Sequence, residues 1–536
     1  MKKMRKLTSL LLVLVMVLGL ATTAFAANYS ISITEDADAP REGHTYTVYQ
    51  IFTGDLDTVD GKEVLSDVKY GANYTPGETV TGDHVEDSVL DEIKDASAFA
   101  KKLIDEKLLE GTYNVLYKDN NWTITNVVPG YYLIVDTTVE LPDYHTRSAV
   151  IVQVVGDVAM TPKSGVVDIV KKVKDINDSV ETDIDEKVWQ DSADHDIGDI
   201  VPYQITSNII DIDEFTTYEV QFVDTMSKGL TYNKDAKITM KYVTLNEDGE
   251  ATTGTIDVTS AFELTEAAYA GDKTKYTGGK VYTWTCTDLK ALVDGNLLDA
   301  TITIDYTCTL NADASVGSLG NPNEVYLVFN REPGEDKPSG KTPEDTVIVF
   351  TFKTDVNKVD PQQKPLTGAA FKLEKFIASE TGKETYKGIT GDWVVKTLVK
   401  NDEGTTFSFK GMDDGYYRIT ETQAPAGYNS IDPIYFTVTG THNEKADDPK
   451  LTDLETTAVK PDGTSYTEAE LESGEVAQFD VDPSEGAIAT RVVNNRGVEL
   501  PETGGIGTTI FYIVGGVLVL AAVVLLVTKK RMSHEA

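Results

Sequence analysis

The 536 residues are too many for one hydrophobic core, and the part between the two ends suits about three domains. The net charge of −39 argues against nucleic acid or an anionic lipid surface as a partner, and implies a soluble, self-repelling exterior. Two cysteines, Cys286 and Cys308, are too few to stabilise several domains by disulfides. They could pair across neighbouring strands or remain as two small buried side chains, and no structural role is slightly favoured.

The N-terminus has the features of a secretion signal. A basic start precedes an unbroken apolar run from Leu10 to Leu20, and the small residues "AFA" follow. This order predicts a signal peptide over residues 1–27, cleaved near Ala26 and Ala27. A permanent membrane anchor is disfavoured because the run is short and the cleavage site is clear.

The region between the ends is predicted to form β-strands. Apolar and polar residues alternate in short runs rich in Tyr, Thr and Val, such as "HTYTVYQIF", "YYLIVDTTV", "YEVQFVD", "ATITIDYTCTL" and "IYFTVTG", with turn residues between them. The pattern indicates an all-β protein of tandem Ig-like antiparallel β-sandwich domains. The exception is "DSVLDEIKDASAFAKKLIDEKLL", whose apolar spacing predicts one amphipathic helix in the N-terminal domain.

Composition predicts the domain boundaries. "AMTPKSG" interrupts the strand pattern with Pro162 and Gly165, and "NREPGEDKPSGKTPED" is rich in Pro and Gly, as linkers are. We therefore predict an N-terminal domain at 28–160, a middle domain at 164–335 and a C-terminal domain at 346–497.

The chain ends in a polar motif, an apolar segment and a basic tail. The segment at 510–527 has no charge and is just long enough to span a membrane, with the basic tail held in the cytoplasm. A simple anchor would not need "LPETG" before it, whereas the three parts at 500–536 together resemble the cell-wall sorting signal of Gram-positive surface proteins. That resemblance implies that a sortase recognises Leu500, Pro501, Glu502, Thr503 and Gly504, cuts after Thr503 and holds it as a thioester until an amine takes it.

A second resemblance lies in the C-terminal domain. "DVNKVDPQQKPLTGAAFKLEK", "GYYRITETQAPAGYN" and "RVVNNRG" resemble the first strand, the E-box and the last strand of Cna-B-type domains in sortase-assembled pilins and adhesins. In that family a Lys of the first strand is joined to an Asn of the last, and the E-box Glu promotes the reaction. The resemblance implies a Lys358–Asn494 isopeptide bond promoted by Glu421, with Asn495 as the alternative acceptor.

These residue types suit the chemistry. Burial disfavours the charged form of a lysine, so its amine can be neutral and nucleophilic. A buried carboxyl is pushed toward its protonated form and can polarise the Asn carboxamide. Folding holds amine and amide side by side in a dry core, ammonia leaves, and a side-chain amide remains.

The middle domain repeats this logic. In "VVDIVKKVKD" strand alternation puts Lys171 on one face with apolar neighbours, and Lys172 is the alternative if the register shifts. "YEVQFVDTMSKGLTYN" and "GNPNEVYLVF" resemble the segments of pilin middle domains that supply the acid and the acceptor, which implies Asp224 and Asn323, although an ordinary strand, turn and strand would also explain them. The N-terminal domain has no comparable set, and we predict no bond there.

The "MTPKSG" segment lies where major pilins carry a "YPKN"-like pilin motif, whose Lys receives the sorting-signal Thr of the next subunit. The resemblance implies that Lys163 is the acceptor, although Thr161 and Ser164 replace the aromatic residue and the Asn. An exposed loop between domains is a place that an enzyme can reach.

Together these resemblances imply a secreted, cell-wall-anchored backbone subunit of a covalent surface pilus (fimbrium) that supports adhesion. The implied partners are a sortase, identical subunits, minor pilins and peptidoglycan; the host ligand is left open. Load would pass from Lys163 to Thr503 through the two domains with predicted bonds. The alternative is a monomeric wall-anchored adhesin of the LPXTG class, which would not need Lys163.

An enzyme is not expected. The six histidines are scattered without zinc-ligand spacing, and the sequence has no nucleophile elbow and no Gly-rich phosphate loop. Asp-rich stretches such as "DINDSVETDIDEK" could hold calcium, but solvated acidic loops are commoner. We therefore predict no metal and no cofactor.

Overall fold

The computed structural model describes residues 28–34, 43–59, 61–116, 122–162, 165–209, 212–246, 250–335, 337–472, 475–496 and 506–532. Strands predominate and form three successive two-sheet units. Most neighbouring strands are antiparallel, and each unit also contains one parallel pair. The predicted all-β fold of tandem sandwiches is confirmed.

The N-terminal domain packs a three-stranded sheet on a five-stranded sheet. Its strands are β1 (Tyr29–Ile33), β2 (Tyr46–Val59), β3 (Lys62–Tyr70), β4 (Asn114–Leu116), β5 (Thr123–Val127), β6 (Gly130–Asp136), β7 (Ala149–Val154) and β8 (Val158–Met160). The order is β5-β1-β8 in the small sheet and β3-β2-β6-β7 in the large one, with β4 beside β2. Apolar residues of both sheets, including Ile31, Val48 and Val152, fill the space between them.

The helix predicted in this domain is present as two helices. They are α1 (Asp87–Glu92) and α2 (Ala96–Asp105). The break has a local cause, because the Asp95 side chain accepts a hydrogen bond from the Ala98 amide at 3.0 Å and so caps a new helix. The apolar spacing still identifies the buried face, since Phe99 and Leu103 of α2 pack on the large sheet.

The middle domain is the largest sandwich. Its strands are β9 (Val170–Val173), β10 (Ser192–Asp194), β11 (Ile200–Ile209), β12 (Val220–Met226), β13 (Leu230–Tyr232), β14 (Lys237–Leu245), β15 (Ala251–Asp257), β16 (Glu263–Ala268), β17 (Lys280–Cys286), β18 (Asn296–Leu310), β19 (Asn321–Phe329), β20 (Gly340–Lys341) and β21 (Asp345–Phe350). The first sheet has the order β15-β14-β18-β11-β9, with β13 beside β18. The second has the order β10-β21-β19-β12-β17-β16, with β20 beside β19.

The two cysteines lie in this domain. Cys286 is on β17 of the second sheet and Cys308 is on β18 of the first, and both are free and buried. The Cys308 thiol contacts the sulfur of Met226 at 3.6 Å. Of the two arrangements left open by the sequence, the structure has the two small buried side chains.

The C-terminal domain is a third sandwich. Its elements are β22 (Phe352–Val359), β23 (Ala370–Ala378), β24 (Glu384–Tyr386), β25 (Ile389–Lys396), β26 (Leu398–Asp402), β27 (Thr406–Met412), β28 (Gly415–Gln423), β29 (Ile434–His442), β30 (Leu451–Val459), α3 (Glu468–Glu472), β31 (Phe479–Asp482) and β32 (Ala487–Val493). The sheets have the orders β26-β27-β22-β32-β31 and β24-β25-β23-β28-β29-β30.

Strand β21 joins the middle and C-terminal domains more closely than the sequence suggests. It pairs with β10 and β19, so the middle sheet continues to Phe350, past the boundary expected at 335. Val347 and Val349 belong to the middle core, whereas Ile348 and Phe350 belong to the C-terminal core. The two faces of β21 therefore pack into the cores of two different domains.

A buried ion cluster lies at the same junction. Lys375 of the C-terminal domain is 0% exposed and its amine contacts Asp178 and Asp413, with Asp196 at 3.2 Å. Burial opposes the charge of this amine, but the nearby carboxylates outweigh it and raise the pKa of Lys375 well above its usual value. Asp178 and Asp196 come from the middle domain, so the cluster ties the two domains together.

We expect Lys375→Met to lower the free energy of unfolding by about 3–5 kcal/mol, because buried carboxylates lose their partner. Urea unfolding of the mature chain measures the change. The control is Lys372→Met on the same strand, where a half-exposed lysine pairs with Glu374 at 2.9 Å and about 1 kcal/mol or less is at stake. Equal losses in the two variants would contradict the role given to Lys375.

The last described element is α4 (Ile506–Met532). In the part of the chain that the structure describes, no helix is both long and apolar enough to cross a membrane. This finding does not support the span predicted over 510–527.

Candidate functional site

The middle domain brings Lys171, Asp224 and Asn323 into one buried site. Lys171 lies on β9 of the first sheet, and the other two lie on the neighbouring strands β12 and β19 of the second sheet. All three side chains are 0% exposed. The site therefore spans the space between the two sheets, where each strand directs alternate residues inward.

A tyrosine hydroxyl connects these groups. The Lys171 amine donates to Asp224 Oδ2 at 2.5 Å and to the Tyr306 hydroxyl oxygen at 2.7 Å. Tyr306 donates to Asp224 Oδ2 at 2.6 Å and accepts from Asn323 Nδ2 at 2.8 Å. Among the described residues, Asn323 Oδ1 and Asp224 Oδ1 have no hydrogen-bond partner.

The surroundings favour uncharged forms of the lysine and the acid. Burial lowers the pKa of Lys171, and the nearby Asp224 only partly offsets it. Burial likewise raises the pKa of Asp224. The rings of Tyr203 and Tyr306 lie 5.7 and 5.3 Å from the amine and exclude water from it. The amine and the carboxyl, whose charged forms burial disfavours, are thus connected through Tyr306 to the carboxamide, an arrangement suited to amide exchange.

The C-terminal domain assembles a second set in a different way. Lys358 of β22 and Asn494, which follows β32, belong to adjacent strands of one sheet, and Glu421 of β28 comes from the other sheet. Asn494 Nδ2 donates to both carboxylate oxygens of Glu421, each at 2.9 Å. The Lys358 amine donates to the carbonyl oxygen of Val492 at 2.8 Å. Here the acid touches the amide directly.

Burial also disfavours the charged form of the lysine in this second set. Lys358 is 1% exposed, and desolvation lowers its pKa to about 8, against the opposing charge of Glu421. Asn494 is fully buried, with no described partner for its Oδ1 atom. A substantial fraction of the Lys358 amine is therefore neutral near physiological pH.

The alternative residues lie elsewhere. Lys172 points away from the core of the middle domain and its amine contacts Asp191. Asn495 is exposed, beside the buried Asn494. In the N-terminal domain, the buried polar side chains that the structure describes include no lysine; the His44 ring and Asp136 form a pair there at 2.7 Å.

Several predicted site residues lie outside the described residues. They are Ala26 and Ala27 at the signal cleavage site, Lys163 in the inter-domain segment, and Leu500, Pro501, Glu502, Thr503 and Gly504. Both flanks of Lys163 are described. Strand β8 ends at Met160, and the Gly165 amide donates to Thr146 Oγ1 at 2.7 Å.

Sequence reasoning missed Tyr306. In "ATITIDYTCTL" it alternates with Ile304 and Cys308, which predicts an inward side chain and nothing more. Its position against Lys171 depends on the pairing of β9 with β11 and of β11 with β18. The sequence of β18 alone does not show which strands lie beside it.

Two family models match the chain. A prealbumin-like fold domain of the SpaA type covers residues 352–475, and an LPXTG cell wall anchor motif covers residues 492–534. The trypsin-resistant surface T6 protein of Streptococcus pyogenes serotype M6 is 24% identical over 394 residues, covering 62% of this chain. The alignment spans 65% of the length of that relative.

Solved structures of pilins also resemble the chain. The T6 backbone pilin of serotype M6 S. pyogenes is 17% identical, with a TM-score of 0.48 and coverage of 89% of this chain and 100% of the other. The major pilin SpaD of Corynebacterium diphtheriae is 18% identical, with a TM-score of 0.43 and coverage of 88% and 97%.

The anchor match ends at residue 534, and the SpaA-type match begins with the first strand of the C-terminal sandwich. The chain therefore contains a SpaA-type prealbumin-like domain and an LPXTG cell wall anchor motif, and it is similar in sequence to a streptococcal surface protein.

Proposed function

We propose that the chain is the backbone subunit of a covalently polymerised surface pilus. A sortase joins Thr503 of one copy to Lys163 of the next, and the last copy is joined to peptidoglycan. Minor pilins are further partners of the fibre. The middle and C-terminal domains are each closed by one internal Lys–Asn amide bond.

One observation carries this proposal. The two buried lysine, acid and asparagine sets lie in the two domains between Lys163 and Thr503. Tension applied to a head-to-tail fibre passes through these domains and bypasses most of the N-terminal domain. A cross-link is most useful where force would otherwise pull strands apart, and the two sets are distributed accordingly.

In each domain the same bonds change. The neutral lysine amine attacks the Asn side-chain carbonyl carbon, a carbon–nitrogen bond forms, and the bond to Nδ2 breaks. One amine proton is lost and one proton is delivered to Nδ2, which leaves as ammonia. Each reaction occurs once and consumes its own side chains, so the chain is a structural protein rather than an enzyme.

The two bonds would resist force differently. A Lys171–Asn323 bond connects the two sheets of the middle sandwich, and a Lys358–Asn494 bond connects the adjacent strands β22 and β32. The second joins the first and last strands of its domain, where the chain enters and leaves. Pulling the domain ends apart would load that bond directly.

The polymer is tested on cells that produce the protein. Cell envelopes boiled in detergent should yield a ladder of high-mass species on a denaturing gel, because amide bonds survive boiling. A single band at the size of one chain would overturn the polymer and favour the wall-anchored monomeric adhesin.

A further inference from the structure

We propose that the Tyr306 hydroxyl is a catalytic group in bond formation in the middle domain, passing a proton from Asp224 to the leaving nitrogen of Asn323. This inference rests on the Lys171–Asn323 bond of the proposed function. It concerns how a proton reaches the leaving nitrogen, which the residues predicted from the sequence do not explain.

The contacts of Tyr306 carry the argument. Its oxygen lies 2.7 Å from Lys171 Nζ, 2.6 Å from Asp224 Oδ2 and 2.8 Å from Asn323 Nδ2. It therefore touches the attacking nitrogen, the acid and the leaving nitrogen at once. Among the described residues no hydrogen bond joins Asp224 to Asn323, so the acid reaches the amide only through this hydroxyl.

The C-terminal site gives the contrast. There both oxygens of Glu421 contact the Asn494 nitrogen directly at 2.9 Å, so no other group stands between the acid and the amide. In the middle domain a hydroxyl stands between the acid and the amide. The same reaction thus has a direct proton route in one domain and a relayed route in the other.

The proton balance is complete within the site. Lys171 loses one proton to Asp224 Oδ2 as it attacks the Asn323 carbonyl carbon. Once the tetrahedral intermediate gives Asn323 Nδ2 a free lone pair, the two hydrogen bonds of the resting site reverse. The Asp224 carboxyl then gives a proton to the Tyr306 oxygen, and Tyr306 gives its own proton to Asn323 Nδ2. Ammonia leaves, and the acid and the tyrosine end in their starting forms.

Burial makes the relay useful. Tyr306 is 3% exposed, its ring stacks on that of Tyr203 at 5.4 Å, and Trp284 lies 5.6 Å away. Water is thereby excluded from the reacting atoms, so a proton needs a fixed side-chain carrier. A hydroxyl held by three partners is preorganised for this.

The test is the rate of bond formation in Tyr306→Phe, which keeps the ring and removes the hydroxyl. The fraction of peptide pairs joined through Lys171 and Asn323 is measured by mass spectrometry against time after synthesis of the full ectodomain. We expect a rate about 10²-fold or more below wild type. The Lys358–Asn494 bond in the same molecules should form at the wild-type rate.

Tyr203→Phe is the matched control. Tyr203 is equally buried and stacks on Tyr306, but its hydroxyl has no hydrogen-bond partner among the described residues. Its variant should form the middle bond at the wild-type rate. Wild-type rates in Tyr306→Phe, or an equal loss in both variants, would overturn the relay.

If the proposed bond does not form at all, wild-type protein will lack the peptide pair joined through Lys171 and Asn323. That result would overturn the proposed bond, and it is distinct from a result that overturns only the relay. If Tyr306→Phe fails to fold, 3-fluorotyrosine in place of tyrosine keeps the ring shape and makes the hydroxyl more acidic. The middle bond should then form at an altered rate and the C-terminal bond at an unaltered one. An unaltered rate at both would overturn the relay.

Discussion

Replacing Lys163 with alanine should remove the high-mass ladder from boiled envelope extracts while single chains stay attached to the cell wall. The proposed linkage has one acceptor amine for each copy, and alanine offers none. The sorting signal at 500–536 is unchanged in this variant, so wall attachment through Thr503 continues. A gel of envelope extracts, probed for this chain, measures the change.

Lys337→Ala is the control for this experiment. Lys337 is an exposed lysine in a Pro- and Gly-rich segment between strands. Its removal should leave the ladder intact. A ladder that persists in Lys163→Ala would place the acceptor at another lysine, and a ladder lost in both variants would indicate a general defect in export or folding.

Removing both acceptor amides should cause the second large effect, a fall in thermal stability. In Asn323→Ala with Asn494→Ala, the lysines and acids remain but no bond can form. Each proposed bond closes a loop of over 100 residues, for which the chain-entropy treatment of cross-links gives about 5 kcal/mol. For domains of this size that corresponds to a melting temperature lower by roughly 10–20 °C.

Calorimetry of the mature ectodomain measures this change, with two separate transitions expected to move. Asn495→Ala is the control, since Asn495 is exposed and adjacent to the proposed acceptor. It should melt as wild type does. A double variant that melts within about 2 °C of wild type would show that no covalent closure stabilises these domains.

Strand alternation predicted the inward lysines well because it is a local property. Lys171 and Lys358 each lie on a short strand whose alternate residues are apolar, and both are buried. The proposed acceptors Asn323 and Asn494 were predicted from resemblance alone. Their burial depends on which strand pairs with which, and a single polar residue in a strand does not reveal that.

The features that sequence analysis missed arise from long-range packing. Tyr306 meets Lys171 only because β11 lies between their strands in one sheet. In the sequence, Lys375 looks like any other lysine in a strand. Only the folded structure places aspartates of the preceding domain around it. The "DTVIVF" run of β21 carried a usable signal, since a continuous apolar run is typical of a strand buried on both faces.

The sequence also contains a signal for the break between α1 and α2. Asp95 stands inside an apolar spacing that otherwise continues, and aspartate is a preferred N-cap. Periodicity alone does not distinguish one helix from two that bury the same face. The boundary was predicted at 335 because the segment after it has the composition of a linker. The same composition also suits the loops around the short strand β20.

The mass of the secreted ectodomain tests the central claim, internal closure of both load-carrying domains, most directly. Intact wild-type protein should weigh about 34 Da less than its sequence, one ammonia for each bond. Peptide mapping should then recover Lys171 joined to Asn323 and Lys358 joined to Asn494. A spectrum at the full sequence mass would contradict the account.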